Sequence, residues 1–210
     1  MGNLIITVSR QFGSGGRIIG EKLAAQLGIP FFDKSIIQMA SKESGLSPEF
    51  IEHSEERASS SFLYNLATSI YSNTSMYAMQ YDTPVNDKAF YAQASVIHDL
   101  AEKGPCVIVG RCADYILREE DRLVRLFIRG ELPDKIKRIK TKYELNLSES
   151  EVQDKIKKVD KSRANYYKYY TGEVWGNISN YDLVINSSFT GVDCAVALIR
   201  TMLKEKGYTV

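Results

Sequence analysis

Short continuous apolar runs alternate along this chain with longer stretches in which apolar positions recur every three or four residues. Leu4-Ile5-Ile6-Thr7-Val8 is β-branched and unbroken, as a buried strand is. From Arg17 the period changes: Ile19, Leu23 and Leu27 predict a helix, and Gly28 is a natural stop. Pro30-Phe31-Phe32-Asp33 reads as a short strand ending at a carboxylate, and a helix follows from Ser35 to about Ser44. Ser47 ahead of Pro48 predicts a capped helix start. Helix returns over 86–103, with Ala89, Phe90, Ala94, Ile97 and Leu100 near one face, and Lys103-Gly104-Pro105 ends it. Cys106-Val107-Ile108-Val109 and Leu123-Val124-Arg125-Leu126-Phe127-Ile128 are further strands. Pro133 opens a helix through Tyr143. Ser148, with Glu151 three residues on, forms a capping box for a long basic helix to about Tyr170. Asp182-Leu183-Val184-Ile185-Asn186 is the last strand, and Thr190 to Lys206 the closing helix.

Apolar strands that alternate with helices predict an α/β fold: a parallel sheet of about five strands, covered on both faces in three layers. The chain of 210 residues reads as one domain. A chain of this size buries roughly 70% of its unfolded surface, so no disulfide or metal staple is needed. Residues 58–85 interrupt the pattern. They open on Ser59-Ser60-Ser61, are rich in Ser, Thr, Asn, Tyr and Met, and carry few charges. They read as a partly helical insertion that either covers a ligand or packs on a partner. Tyr64, Tyr71, Met76, Tyr77, Met79 and Tyr81 favour a homodimer surface, since Tyr and Met are enriched at interfaces.

Charged residues make up 25% and the formal net charge is +1, which gives no reason to expect a nucleic-acid partner. No run approaches the ~18 apolar residues of a membrane helix, and no charged segment with a long apolar stretch precedes the first strand. A cytoplasmic protein without membrane contact is expected. Cys106, Cys112 and Cys194 form no C-x-x-C pair and are expected as reduced thiols in or near the core. His53 and His98 read as structural or exposed.

In a parallel sheet, ligands lie beyond the carboxyl ends of the strands. The first strand is followed there by Arg10 and the turn Gly13-Ser14-Gly15-Gly16-Arg17. Strand, glycine turn and helix start together cradle phosphate, because glycines admit the anion and the helix N–H groups point at it. The usual loop reads G-x-x-x-x-G-K-[ST]. Here Gly16, Arg17 and Ile18 follow Gly15, so neither Lys nor Ser/Thr is in place. Asp33, Gly110-Arg111, Arg129 and Asn186-Ser187-Ser188 follow the other strands. Several arginines on one edge beside a phosphate turn make an anion site.

With these residues in place, the chain resembles the cytidylate kinase-like family, a nucleoside monophosphate kinase branch of the P-loop NTPases. The resemblance runs from Ile5 through Arg17, continues in Gly28-Ile29-Pro30-Phe31-Phe32-Asp33-Lys34 and Val107-Ile108-Val109-Gly110-Arg111, and includes Asp160-Lys161-Ser162-Arg163 and the last strand to Ser188. It implies a P-loop kinase fold with a helical lid over 145–172 and transfer of the ATP γ-phosphoryl to a nucleoside monophosphate or similar small phosphorylated acceptor. Gly13, Ser14, Gly15, Gly16 and Arg17 would bind the donor phosphates. Asp33 and Arg111 would meet the acceptor. Asp160 and Arg163 would belong to the lid, with Arg163, joined by Arg129 or Arg138, closing over the transferring group. Arg10 or Arg17 would stand in for the missing lysine. The family implies Mg²⁺, for which Asp33, Asp114 and Ser14 are candidate ligands. Tyr166-Tyr167-Lys168-Tyr169-Tyr170 reads as packing at a helix end rather than a base-stacking platform. The missing lysine and hydroxyl leave a second reading, a non-catalytic or regulatory nucleotide-binding protein on the same fold.

Overall fold

The computed structural model describes residues 4–54, 85–143 and 147–208. Five parallel strands, β1 Ile5–Arg10, β2 Phe31–Phe32, β3 Cys106–Val109, β4 Leu123–Arg129 and β5 Leu183–Asn186, form one sheet in the order β2-β3-β1-β4-β5. β1 therefore lies centrally, with Ile6 opposite Val107 on one side and Val124 on the other. The order reverses at β1, and that reversal opens a crevice beyond its carboxyl end.

The helices are α1 Gly16–Leu27, α2 Ser35–Ser44, α3 over 48–54, α4 Val85–Lys103, α5 Ala113–Ile116, α6 Leu132–Tyr143, α7 Glu149–Thr171 and α8 Ser187–Glu205. The period-two geometry of β1 divides its side chains between two cores. Ile6 and Val8 face α1 and α8, against Ile19, Leu23, Val196 and Ile199. Ile5 faces the other side, with Ile36, Ile97 and Leu100 of α2 and α4. Each such burial contributes about 1.5–3 kcal/mol, and β4 alone carries a charge before its end, at Arg125, whose guanidinium pairs with Asp182 at 3.0 Å. This is the predicted three-layer α/β fold.

Most helix ends form where their residues dictate. Gly28 takes φ 65° and caps α1 through its N–H to Ala24 and Ala25. The Ser47 hydroxyl accepts from Phe50 N at 3.1 Å. The capping box of α7 is complete: Ser148 Oγ accepts from Glu151 N, and Glu151 Oε2 accepts from Ser148 N at 2.8 Å. The closing helix differs from expectation. It begins at Ser187, and Gly191 breaks it with φ 70° and ψ 177°, so the first turn is set at its own angle. The Asn186 side chain caps that turn by accepting from Ser188 N.

The tyrosine run packs as expected. Tyr166 and Tyr167 are buried, and the Tyr170 ring stacks on Phe90 of α4 at 4.0 Å. Cys106 and Cys112 are buried thiols outside any disulfide, and burial raises Cys106 to about 11. Cys194 is exposed on α8, contrary to the expectation of a core or near-core position. His53 and His98 are exposed. The 58–85 insertion, read as a lid or dimer surface, lies outside the described residues except for Val85. Among the described residues, no helix is long and apolar enough to cross a membrane.

Candidate anion-binding site

The turn after β1 is shaped by glycine. Gly13 and Gly15 have φ 78° and 81°, in the left-handed region that costs other residues roughly 1–2 kcal/mol. A Cβ on Gly13 would lie 2.8 Å from Ile139 Cδ1, so α6 closes directly on the loop. Two carbonyls of the turn are held: Arg138 Nη1 donates to Gly13 O at 2.6 Å, and Ser187 Oγ donates to Ser14 O at 2.5 Å. α1 then starts at Gly16 with no acidic residue in its first turn, which leaves the positive end of the helix dipole uncompensated.

α6 and α7 grip the front of the loop. Asp160 accepts from Phe12 N at 2.6 Å and from Lys135 Nζ at 2.9 Å, and Lys135 is buried. One turn further along α7, Arg163 Nη1 donates to Arg10 O at 3.0 Å, with its guanidinium over the Phe12 ring. Lys135 and Arg138 on α6, and Asp160 and Arg163 on α7, are pairs at i,i+3 spacing. That shared spacing was the available sequence signal for Lys135, which the sequence reading missed.

Opposite the loop, β3 ends in a turn of a different kind. Gly110, Arg111 and Cys112 have φ 78°, 61° and 55° in succession. Two adjacent non-glycine residues in this region are strained. Gly110 N donates to Val8 O at 3.1 Å, and the Arg10 guanidinium occupies the space where a Gly110 side chain would stand. Asp33, at the end of β2, accepts from Arg17 Nε at 2.7 Å and lies 4.0 Å from Arg10 Nη2. Arg17 thus turns from the loop toward Asp33, Glu21 and the Phe31 ring.

Loop and turn face one cavity of about 580 Å³. Arg10, Arg17, Lys34, Arg111, Arg138, Lys155 and Arg163 line it with cations, against the carboxylates Asp33 and Glu52. Gly13, Gly15 and Gly16 line it as well, whereas Ser14 is wholly buried with its Oγ accepting from Gly16 N. Asp160 braces the loop from outside the cavity lining. Arg129, the last residue of β4, does not line the cavity with the other arginines: it pairs with Glu131 at 3.0 Å.

The candidate metal ligands do not converge. Asp114 is buried away from the cavity and accepts from the Tyr167 hydroxyl at 2.9 Å. Its Oδ1 has no hydrogen-bond partner among the described residues, and burial raises its carboxyl to about 6 despite the Tyr167 bond. Asp33 is engaged by Arg17, and the Ser14 hydroxyl faces inward. Among the described residues, no group of three His, Cys, Asp or Glu side chains could hold a metal. Asp33, Asp114 and Ser14 therefore do not come together as one set of ligands.

Comparison with known proteins agrees with this architecture. An uncharacterized protein from Eubacterium ventriosum superposes with a TM-score of 0.71 and 26% identity, over 96% of this chain and 98% of that one. Shikimate kinase from Bacteroides thetaiotaomicron gives a TM-score of 0.55 at 13% identity, over 96% and 98% of the two chains. A gluconokinase from Sinorhizobium meliloti gives 0.51 at 15% identity, over 97% and 94%. These two enzymes share the fold, that of P-loop small-molecule kinases. No curated protein matches in sequence. The model of the cytidylate kinase-like family matches residues 5–189, from the first residue of β1 to the first turn of α8, and the chain belongs to that family.

Proposed function

We propose that this protein transfers the γ-phosphoryl of ATP to a small phosphorylated acceptor, a nucleoside monophosphate being the first class to test. The observation that carries the reading is the single cavity in which the glycine loop and the Gly110-Arg111 turn face each other, with seven cationic side chains against two carboxylates. A protein of net charge +1 concentrates that excess where two anionic substrates would meet.

Phosphoryl transfer needs alignment and positive charge over the transferring group more than covalent chemistry from the protein. In this reading Gly13, Ser14, Gly15, Gly16 and Arg17 hold the donor phosphates through the loop backbone and the start of α1. Arg138, already on Gly13 O, flanks them. Arg111 binds the acceptor phosphate, and Asp33 orients the acceptor from the end of β2. Arg10 and Arg163 lie between the two halves and stabilise the charge on the transferring oxygens. An acceptor phosphate oxygen needs no general base. Magnesium supplied with the nucleotide would be held by phosphate and water, and no protein step depends on it.

The second reading, a nucleotide-binding protein without turnover, is favoured by one observation: Arg17 is engaged by Asp33 rather than by the loop. A coupled assay for ADP formation across the common nucleoside monophosphates, beside calorimetry with ATP, separates the two. Turnover with at least one monophosphate is expected. ATP binding with no turnover on any would select the second reading.

A further inference from the structure

Laid on the pattern G-x-x-x-x-G-K-[ST], with Gly15 as its second glycine, this loop carries Arg10 at the first glycine and Gly16 at the lysine. The two departures touch each other in space. A Cβ on Gly16 would lie 2.6 Å from Arg10 Cβ, 3.2 Å from Arg10 Cγ and 3.1 Å from Ile128 Cβ. The nearest of these atoms is fixed to the backbone, so it cannot swing aside as a side-chain tip can. A side chain at 16 and the arginine stem at 10 compete for one volume. Gly16 does not have a positive φ, so steric room rather than backbone conformation demands glycine there.

The arginine stem crosses the Cα of Gly16 and carries its guanidinium against Gly110, with Nη2 4.0 Å from Asp33 Oδ1. The charge thus lies between the glycine loop and the strained turn, on the wall of the cavity. Arg17, the other candidate, is drawn to Asp33 and Glu21.

We propose that Arg10 and Gly16 form an exchanged pair: the loop's cation has moved from the lysine position to the first-glycine position, and it contacts the terminal phosphate of a nucleoside triphosphate. This rests on the phosphotransferase reading for its ligand, but the steric half stands on geometry alone. Gly16 is glycine because residue 10 carries a Cβ, with Ile128 Cβ closing the other side. The phosphate half requires that Arg10 matter more for a triphosphate than for a diphosphate.

A double-mutant cycle tests both halves. Thermal midpoints of wild type, Gly16→Ala, Arg10→Gly and the double variant R10G/G16A read the steric half without any ligand. Gly16→Ala is expected to lower the midpoint by about 5 °C or more when Arg10 is present and by less than half as much when position 10 is glycine. Equal losses in both backgrounds would overturn the exclusion. Calorimetry with ATP, ADP and inorganic tripolyphosphate reads the phosphate half on Arg10→Ala, Arg10→Lys and R10G/G16K. Arg10→Ala should weaken ATP and tripolyphosphate by roughly tenfold or more and ADP by much less. Arg10→Lys and R10G/G16K should each recover part of the preference for ATP. An unchanged ratio of ATP to ADP affinity in Arg10→Ala, or no recovery in R10G/G16K, would overturn the assignment. If wild type binds none of the three probes, the phosphotransferase reading falls and takes the phosphate role with it. The midpoints then still decide the exclusion.

Discussion

The two turns that face each other across the cavity are built by opposite means. The loop after β1 spends its left-handed positions on Gly13 and Gly15, where they cost little, and the α6, α7 and α8 side chains hold it from outside. The turn after β3 places Arg111 and Cys112 in the same backbone region without that relief. The first turn lines the cavity with glycine backbone; the second lines it with the Arg111 side chain. A site that relies on N–H groups can be made of glycine, whereas one that needs a guanidinium at a left-handed position must accept the strain. The difference teaches where each turn is vulnerable: the loop after β1 through its braces, the turn after β3 through its backbone.

The largest expected effect is at the brace. Asp160→Ala leaves the buried Lys135 ammonium and Phe12 N without their carboxylate. Loss of one partner from a buried pair typically costs 3–5 kcal/mol. Urea denaturation should show a loss on the order of 3 kcal/mol, and ATP affinity should fall with it. Unchanged stability would mean that the loop does not depend on the Asp160 brace.

Next comes the buried carboxyl behind the turn after β3. Asp114 has an ordinary value of 3.8 and rises to about 6 in the fold, chiefly through burial. Between those values the native state holds a proton that the unfolded chain has released, so this group's contribution to stability falls as pH rises through that window. Asp114→Asn removes the buried charge and should stabilise the protein at pH 7 by roughly 1–3 kcal/mol. Denaturation at successive pH values should show the gain shrinking toward zero in acid. A loss at pH 7 would show that the charge itself holds the turn.

The smallest effect contrasts the two turns directly. Arg111→Gly relieves one left-handed residue and should raise stability by about 1 kcal/mol. Gly13→Ala on the opposite turn imposes the same strain and should lower stability by a similar amount or more. Paired melting curves check both signs. If both substitutions destabilise, the contrast between the turns is wrong.

Much of the fold was legible in the sequence because strands buried on both faces leave a continuous apolar trace, as Ile5–Val8 and Cys106–Val109 do apart from the buried Thr7. Helix ends were legible where a single residue satisfies a backbone group, as Gly28 and Ser148 do. The break at Gly191 was not, because a lone glycine near a helix start has several possible geometries. Around the cavity, a residue's place after a strand located Arg10, Asp33 and Arg111 but did not give side-chain direction. Arg17 turned to Asp33, Arg129 turned to Glu131, and Asp114 sank behind the turn after β3. Those outcomes depend on which opposite charge or neighbour the fold brings within reach. The strain at Arg111 and Cys112 has no compositional signature at all. It arises from the path between β3 and α5, with Ala113 N returning to Gly110 O at 3.1 Å.

The central claim is that one cavity holds two anionic ligands side by side, one on each turn. The most direct measurement is calorimetry with a nucleoside monophosphate on protein saturated with a non-hydrolysable ATP analogue, in wild type and in Arg111→Ala. The account predicts 1:1 binding of the monophosphate to the saturated wild-type protein. In Arg111→Ala it predicts monophosphate binding weakened by roughly 100-fold, with the affinity for the ATP analogue nearly unchanged. A monophosphate that competes with the analogue, or an Arg111→Ala variant that weakens both ligands equally, would contradict it.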